Sequence, residues 1–376
     1  HGIFGFIDKK LDSYEFYVPL SMNMKSKTLW EILSENKKKV FVMNVPVTFP
    51  PREVNGILIG CFLSPNINKA TYPEKIAKKL EDIGYRIDVD PWQARKKSKE
   101  EFLDDLNITL EKRFESAFYF MDNEEWDYFH VHVMETDRIN HFLWEHWETN
   151  DKKYGPAFLK YYEKIDNLMG EIMTRVSKNN AHLVVLSDHG FCTIKKEVQL
   201  NYWLKQNGWL DFENDNPKSL SEISNHSRAY SLIPGRIFVN LKGREAKGCV
   251  SPGDEYEKVR RELIASLLKM EDPNTHDRII KEVIKREEIY HGECFSYASD
   301  LIAIPYDGYD LKANINKDSL TEKGALVGMH TFHDAFCCIK DREIKAKDFE
   351  IMDVMPTILM MMGIDIPDDI DGRVII

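Results

Sequence analysis

The sequence predicts an α/β fold in which helices cover a mostly parallel β-sheet. Two observations lead to this prediction. Amphipathic helical patterns alternate along the chain with short apolar runs of strand length, and glycine or proline punctuates many of their boundaries. The composition, 43% hydrophobic and 30% charged, is typical of a globular domain that buries a sizeable core.

The first half of the chain contains four units in which a helical pattern is followed by an apolar run. Ser26 is a candidate cap for the first helix, and Gly84 is expected to end the second. The C-terminal segment has one long helical pattern that stops at Gly363. The four units pair residues 26–39 with 40–46, 72–84 with 85–90, 98–122 with 127–135, and 156–178 with 182–191.

The sequence pattern changes between residues 192 and 325, where turn-rich strand patterns and a single helical pattern replace the regular alternation of helices and strands. We therefore expect residues 1–191 and 326–376 to form the α/β core. Residues 192–325 are expected to form an inserted cap that selects the substrate, as inserted loops and lids often do.

The charge balance of 62 acidic and 51 basic residues disfavours a nucleic-acid polymer or an anionic membrane as partner. A bound anion would have to be held by local groups such as metal ions. No apolar run reaches the roughly 18 residues of a membrane span. The six cysteines are scattered without a CxxC spacing, which favours free thiols and a cytoplasmic location. The sequence leaves the oligomeric state open.

Three groups of metal-ligand residues follow apolar runs. Asp137 and His141 stand four residues apart, so a helix would place both on one face. Asp188 and His189 follow the apolar run of "HLVVLSDHGF", and His330 follows a third apolar stretch. Because ligands of parallel sheets bind at the carboxyl ends of the strands, we expect these five side chains to converge.

Each pattern alone has an ordinary structural explanation, since Asp-x-x-x-His and Asp-His-Gly turns occur in many proteins. Together they favour a metal site, and two clusters suggest two divalent ions. Carboxylate and imidazole ligands suit zinc first, with manganese or iron as alternatives. His130 and His132 share one face of a predicted strand and are expected to lie in the core or behind the ligands.

The segments "VLSDHGF", "ETDRINHF", "GMH" and the opening "HGIFGF" resemble the alkaline phosphatase superfamily. The most similar branch is the type I phosphodiesterase and nucleotide pyrophosphatase-like proteins, including the phosphohydrolase/phosphomutase group. The resemblance implies a three-layer α/β/α core. It also implies that Asp188 and His189 bind the ion that activates the nucleophile, and that Asp137, His141 and His330 bind a second ion.

The family pattern places an aspartate ligand and a Thr or Ser nucleophile before the His-Gly pair that is His1–Gly2 here. We therefore expect the N-terminal strand and the nucleophile to lie upstream of His1. Thr48, in "PVTFP", is a second candidate nucleophile, although the opening motif then stands on the wrong side of it.

The resemblance implies a metal-dependent phosphohydrolase that acts on small phosphate mono- or diesters through a covalent phospho-enzyme. Two alternatives remain open. A phosphomutase of the same superfamily would return the phosphoryl group to the substrate, whereas a chain without the nucleophile segment would be an inactive binding protein.

Overall fold

The computed structural model of the chain describes residues 1–89 and 98–376, which form two compact units. The larger unit comprises Leu20–Met22, Ser26–Cys192 and His330–Ile376, and the smaller comprises His1–Pro19, Asn23–Lys25 and Thr193–Met329. The N-terminal residues 1–19 thus group with the smaller unit, whereas the sequence placed them with the core. The substrate-selecting role of residues 192–325 stays a prediction.

The described residues contain ten α-helices and seventeen β-strands. The helices are α1 (Leu29–Glu35), α2 (Ile67–Ala70), α3 (Ile76–Ile83), α4 (Lys99–Asn123), α5 (Met134–Glu148), α6 (Tyr154–Lys178), α7 (Leu200–Gln206), α8 (Asp254–Leu267), α9 (Arg286–Ile289) and α10 (Val354–Met361). The strands are β1 (Asp8–Lys9), β2 (Phe16–Tyr17), β3 (Val40–Met43), β4 (Gly56–Ile59), β5 (Thr71–Tyr72), β6 (Tyr128–Val131), β7 (Val184–Leu186), β8 (Gly190–Thr193), β9 (Lys196–Gln199), β10 (Ala229–Ile233), β11 (Arg236–Val239), β12 (Ile280–Lys285), β13 (Leu301–Pro305), β14 (Tyr309–Lys312), β15 (Thr321–Glu322), β16 (Gly328–Thr331) and β17 (Cys337–Ile339).

The larger unit is organised around a four-stranded sheet with the order β5-β4-β3-β6. Strands β4, β3 and β6 are parallel, and β5 is antiparallel to β4. At the carboxyl end, Met43 of β3 lies opposite Ile59 and Val131. Strand β7 pairs antiparallel with β17. The predicted α/β class with parallel strands is therefore confirmed.

Both faces of this sheet are covered by helices. Val40 and Val42 of β3 pack in one core cluster with residues of α1 and α10. Phe41 and Met43 pack in another cluster with residues of α3 and α4. Because successive strand residues point to opposite faces, a run that is apolar at every position requires two cores. This arrangement is the three-layer α/β/α core.

The smaller unit contains a four-stranded antiparallel sheet, β10-β11-β13-β12, and a three-stranded sheet, β14-β9-β15. Its core includes an ion pair in which Arg244 donates to both oxygens of the fully buried Asp300, at 2.8 and 2.6 Å. The hydroxyl of Tyr256 also donates to Asp300. The burial of Asp300 is thus matched by hydrogen bonds to its charged form.

Two local predictions are wrong. Thr28, not Ser26, caps α1, because its hydroxyl accepts from the backbone of Glu31 while the Glu31 carboxylate accepts from the backbone of Thr28. The strand predicted at 85–90 is not formed in its described part, 85–89. Two groups there, the Tyr85 hydroxyl and the Ile87 carbonyl, accept hydrogen bonds from Arg113.

Two glycine stops are confirmed. Gly84 and Gly363 follow α3 and α10 with φ values of 80° and 66°, a left-handed conformation that favours glycine. In the described residues, no helix is both long and apolar enough to cross a membrane.

The strand histidine His130 makes the stability of the fold depend on pH. Desolvation, followed by the nearby His132, lowers the pKa of His130 to about 4 from 6.5. Its Nδ1 lies 2.9 Å from the Tyr128 hydroxyl. Between these two pH values the unfolded chain binds a proton that the folded chain does not.

We expect the free energy of unfolding to fall as pH drops from 6.5 towards 4, by on the order of 1 to 3 kcal/mol from this group. Urea denaturation across that range measures it. The variant His130→Gln should show a smaller slope than the wild type, whereas the exposed control His226→Gln should keep the full slope. Equal slopes in both variants would contradict the assignment.

Candidate metal centre

The first two predicted ligands lie on one face of α5, just beyond the carboxyl end of β6. Strand β6 ends at Val131 and α5 begins at Met134, so Asp137 and His141 occupy successive turns near the start of the helix. The Nε2 atom of His141 lies 3.4 Å from Oδ1 of Asp137. The helical spacing read from the sequence is therefore observed.

The next two predicted ligands follow the carboxyl end of β7. Nδ1 of His189 lies 3.1 Å from the carbonyl oxygen of Gly190, so the hydrogen bond places the ring proton there and leaves Nε2 as the free acceptor. Nε2 of His189 lies 3.6 Å from Oδ2 of Asp188. The Asp188 side chain is 62% exposed, which makes it the most open member of the predicted set.

His330, on β16, brings the two groups together. Its Nε2 lies 2.9 Å from Oδ1 of Asp137 and 3.1 Å from Nε2 of His141. Its ring stacks on the ring of His189 with centroids 3.7 Å apart. Asp137, His189 and His330 each offer a ligand atom within 4.8 Å of the others. The ligand cluster, defined here as Asp137, His141, His189 and His330, thus unites three distant parts of the chain.

Gly190 allows this convergence. A Cβ at Gly190 would lie 2.6 Å from Oγ1 of Thr331, 2.8 Å from the carbonyl oxygen of His333 and 3.1 Å from that of Asp334. Only glycine leaves room for the segment that follows His330 to pack so closely. The glycine of the Asp-His-Gly turn is therefore required by a close approach of backbone.

Phe191 packs against all three imidazoles of the ligand cluster. Its ring centroid lies 5.1 Å from that of His141, 5.4 Å from that of His189 and 5.0 Å from that of His330. Trp144 lies behind it at 5.8 Å. The aromatic contacts restrict the rings to a narrow range of orientations. This role was not predicted from the sequence, although Phe191 directly follows the Asp-His-Gly turn.

The electrostatics suit a cation. Burial raises the pKa of Asp137, but hydrogen bonds from His141 and His330 outweigh it and hold that pKa well below its ordinary value. Burial, and then the adjacent His330, lower the pKa of His189. At neutral pH Asp137 is therefore ionised and His189 neutral, which are the states that bind a metal.

His132 lies just beyond the end of β6, and its backbone N–H donates to the carbonyl oxygen of Met43. Its buried Nδ1 has no hydrogen-bond partner among the described residues. Burial lowers its pKa most, and the charges of Asp188 and Asp137 oppose that shift. His132 is thus a polar group beside the cluster, in agreement with its predicted place in the core or behind the ligands.

Two arginines that were not predicted as site residues hold the start of α5. Arg113, fully buried, donates from Nε to both carboxylate oxygens of Glu135, at 2.7 and 2.9 Å. Arg138 donates from Nη2 to Asp88, at 2.6 Å. The position of Arg138 directly after Asp137 could have indicated a role at the site. Its partner Asp88 lies 50 residues away, and no local sequence pattern indicates that contact.

Thr48, the candidate nucleophile within the chain, is buried, and its hydroxyl donates to the carbonyl oxygen of Val45 at 2.6 Å. This hydrogen bond closes a local turn after β3. The hydroxyl is therefore engaged in its own loop, and the role of Thr48 stays a prediction.

The residues present fit a divalent metal ion. One carboxylate and three imidazoles supply nitrogen and oxygen donors, the set that zinc, manganese and iron share. The free Nε2 of His189 and the ionised Asp137 provide the required lone pairs. The cluster lies beyond the carboxyl end of β6 in the parallel sheet and beyond that of β7, with His330 on β16, and ligands of α/β folds typically bind at such strand ends.

The model of the type I phosphodiesterase / nucleotide pyrophosphatase family matches residues 1–333. The chain therefore belongs to this family, and its membership supports phosphoric ester hydrolysis as the broad class of activity. A search of the curated proteins finds no match.

Two solved structures with TM-scores of 0.54 and 0.50 show the same fold at low sequence identity. Phosphonoacetate hydrolase from Sinorhizobium meliloti, in complex with phosphonoacetate, has a TM-score of 0.54 and 14% identity over 88% of this chain and 71% of that one. The same enzyme with phosphonoformate has a TM-score of 0.50 and 12% identity over 84% and 68%. Human ectonucleotide pyrophosphatase / phosphodiesterase 5 has a TM-score of 0.47 and 14% identity over 99% and 81%. The fold is alkaline-phosphatase-like.

Replacement of His330 by alanine removes the residue that joins the two ligand groups. We expect the zinc affinity of the full-length protein to fall by more than about 100-fold. Mutation of a residue that only hydrogen-bonds to a metal ligand already lowers metal affinity roughly 10- to 100-fold. Isothermal titration calorimetry measures it. His333→Ala, an exposed histidine on the same segment, is the control and should bind as the wild type does. Unchanged affinity in His330→Ala would remove His330 from the cluster.

Replacement of Gly190 by alanine forces a Cβ against Thr331 and His333. We expect a loss of stability of about 1 to 3 kcal/mol, together with weaker zinc binding, measured by chemical denaturation and by calorimetry. Gly170→Ala is the matched control, because a Cβ there meets nothing within 4 Å in the middle of α6. If both variants keep wild-type stability, the close approach is not a constraint.

Proposed function

We propose that the protein is a metal-dependent phosphoric ester hydrolase that acts on small phosphate mono- or diesters. The observation that carries this proposal is the ligand cluster. Its residues come from α5, the β7 turn and β16, and their side chains contact one another through hydrogen bonds and ring stacking. Family membership supports the ester class of the substrate.

We propose that two divalent ions bind here, zinc being the first candidate and manganese or iron the alternatives. Asp188 and His189 would hold one ion, and Asp137, His141 and His330 the other. When bound, such ions act as Lewis acids, neutralise phosphoryl oxygens and lower the pKa of a coordinated hydroxyl. The net charge of −11 makes such local positive charge necessary for an anionic substrate.

The protein's own residues prepare this chemistry. In the metal-free protein, two imidazoles donate to Asp137 and keep it ionised, and a bound ion would replace those protons. The Gly190 carbonyl accepts a hydrogen bond from Nδ1–H of His189, which leaves the lone pair on Nε2. Phe191 packs against the three imidazoles and restricts their orientation. A covalent phospho-enzyme formed on a hydroxyl nucleophile belongs to the same proposal.

We also propose that the protein acts in the cytoplasm. Supporting this, none of the six cysteines, all of which lie in the described residues, forms a disulfide bond. Residues 192–325 are proposed to select among phosphate esters.

The decisive experiment incubates the full-length protein, loaded with Zn²⁺ or Mn²⁺, with a phosphate monoester, a phosphate diester and a sulfate ester. We expect release of the ester's alcohol from one of the phosphate esters and none from the sulfate. Free inorganic phosphate, measured alongside, separates monoester hydrolysis from transfer of the phosphoryl group back to substrate. Two bound ions with no turnover of any ester would favour the inactive binding protein instead.

Asp188→Asn tests the assignment of the more open ligand. The amide keeps the size of the side chain but removes the charge that binds a cation, so we expect turnover of the phosphate ester to be abolished. Asp166→Asn, on the exposed face of α6, is the matched control and should leave activity unchanged. Retained turnover in Asp188→Asn would contradict the proposed role.

A further inference from the structure

The two carboxylate oxygens of Asp137 have different partners. Oδ1 lies 2.9 Å from Nε2 of His330 and 3.4 Å from Nε2 of His141, within the ligand cluster. Oδ2 instead lies 3.5 Å from Nη1 of Arg138, the next residue in the chain. The carboxylate is thus held between two imidazoles on one side and a guanidinium on the other.

Arg138 is itself held by Asp88. Its Nη2 and Nε donate to Oδ2 of Asp88 at 2.6 and 3.2 Å. Both side chains are mostly buried, at 15% and 9% exposure, so solvent screens the pair weakly. The guanidinium also lies 5.6 Å from the ring centroid of Phe62. Arg138 therefore has a defined position and little freedom to follow Asp137 if that side chain rotates.

A second arginine fixes the same two pieces of chain. Arg113 binds Glu135 on the first turn of α5 and donates from Nη2 to the carbonyl oxygen of Ile87, next to Asp88. The first turn of α5 and the segment that carries Asp88 are thus joined twice, on either side of Asp137. This double attachment holds the Asp88–Arg138 pair in a fixed position relative to the Asp137 carboxylate.

We propose that Arg138, held by Asp88, is a positioning residue that occupies Oδ2 of Asp137 and thereby reserves Oδ1 for a divalent metal ion. The inference rests on the proposed function of the ligand cluster and assigns a role to two residues outside it. Without Arg138 the carboxylate is free to rotate and present either oxygen. The negative charge of Asp88 offsets the positive charge of the Arg138 guanidinium, which would otherwise repel the metal cation.

Zinc affinities of the full-length protein, measured by calorimetry, test this role. We expect Arg138→Met to bind zinc about 10- to 100-fold more weakly, the range typical of partners of metal ligands. Arg138→Lys keeps the charge but not the fork that spans Asp88 and Asp137, so its affinity should be intermediate. Asp88→Asn should also weaken binding, because it leaves the positive charge of Arg138 unbalanced.

A variant that combines both substitutions tests whether Asp88 and Arg138 act together or independently on zinc binding. Because both residues act through one ion pair, Asp88→Asn combined with Arg138→Met should weaken binding by less than the product of the single effects. Arg175→Met is the matched control, since Arg175 forms an ion pair with Asp122 between α6 and α4, 3.1 Å long, outside the ligand cluster. It should leave zinc affinity unchanged.

The thermal stability of the metal-free variants distinguishes a structural role from the proposed one. A lower melting temperature with wild-type zinc affinity in Arg138→Met would overturn the inference and leave a purely structural ion pair. If Arg138→Met does not fold, wild-type affinity in both Arg138→Lys and Asp88→Asn would overturn it equally. Failure of the wild type to bind zinc or manganese would instead overturn the proposed function, and the inference with it.

Discussion

The hydrogen bond between Asp137 and His330 is the contact on which the rest of the site depends. It joins residues 193 positions apart and is made by an ionised carboxylate, so it is stronger than a bond between neutral groups. Through His330 it brings the β7 turn, with His189, against α5. Without it the ligands on α5 and those of the β7 turn would not be joined through His330.

The surroundings hold this contact in place by packing as well as by charge. Gly190 lets the segment after His330 approach the Asp-His-Gly turn, and Phe191 fills the space beside the three imidazoles. The helix start that carries Asp137 is fixed by the buried pair of Arg113 and Glu135. The cluster is therefore organised by groups that do not themselves carry the chemistry, which is how metal sites usually keep their ligands oriented.

Much of the core could be predicted from the sequence because its signals are local. The apolar run of β3 indicated a strand, and the alternation of helices and strands indicated the α/β class. Errors occurred where two local solutions compete. Ser26 and Thr28 both suit a helix cap, and only the position of Glu31 selects Thr28. The strand expected at 85–90 has backbone and hydroxyl groups bound to a distant arginine, Arg113, which no local pattern reveals.

The sequence by itself determined the chemistry of the site: the residue types, their placement after apolar strands, and the helical spacing of Asp137 and His141. These features follow from local backbone geometry, which a short window of sequence encodes. Only the tertiary structure decided which oxygen of Asp137 faces the imidazoles, that Phe191 contacts all three rings, and that Asp88 holds Arg138. Those contacts join residues far apart in the chain, and their distances are set by packing, which sequence patterns do not specify.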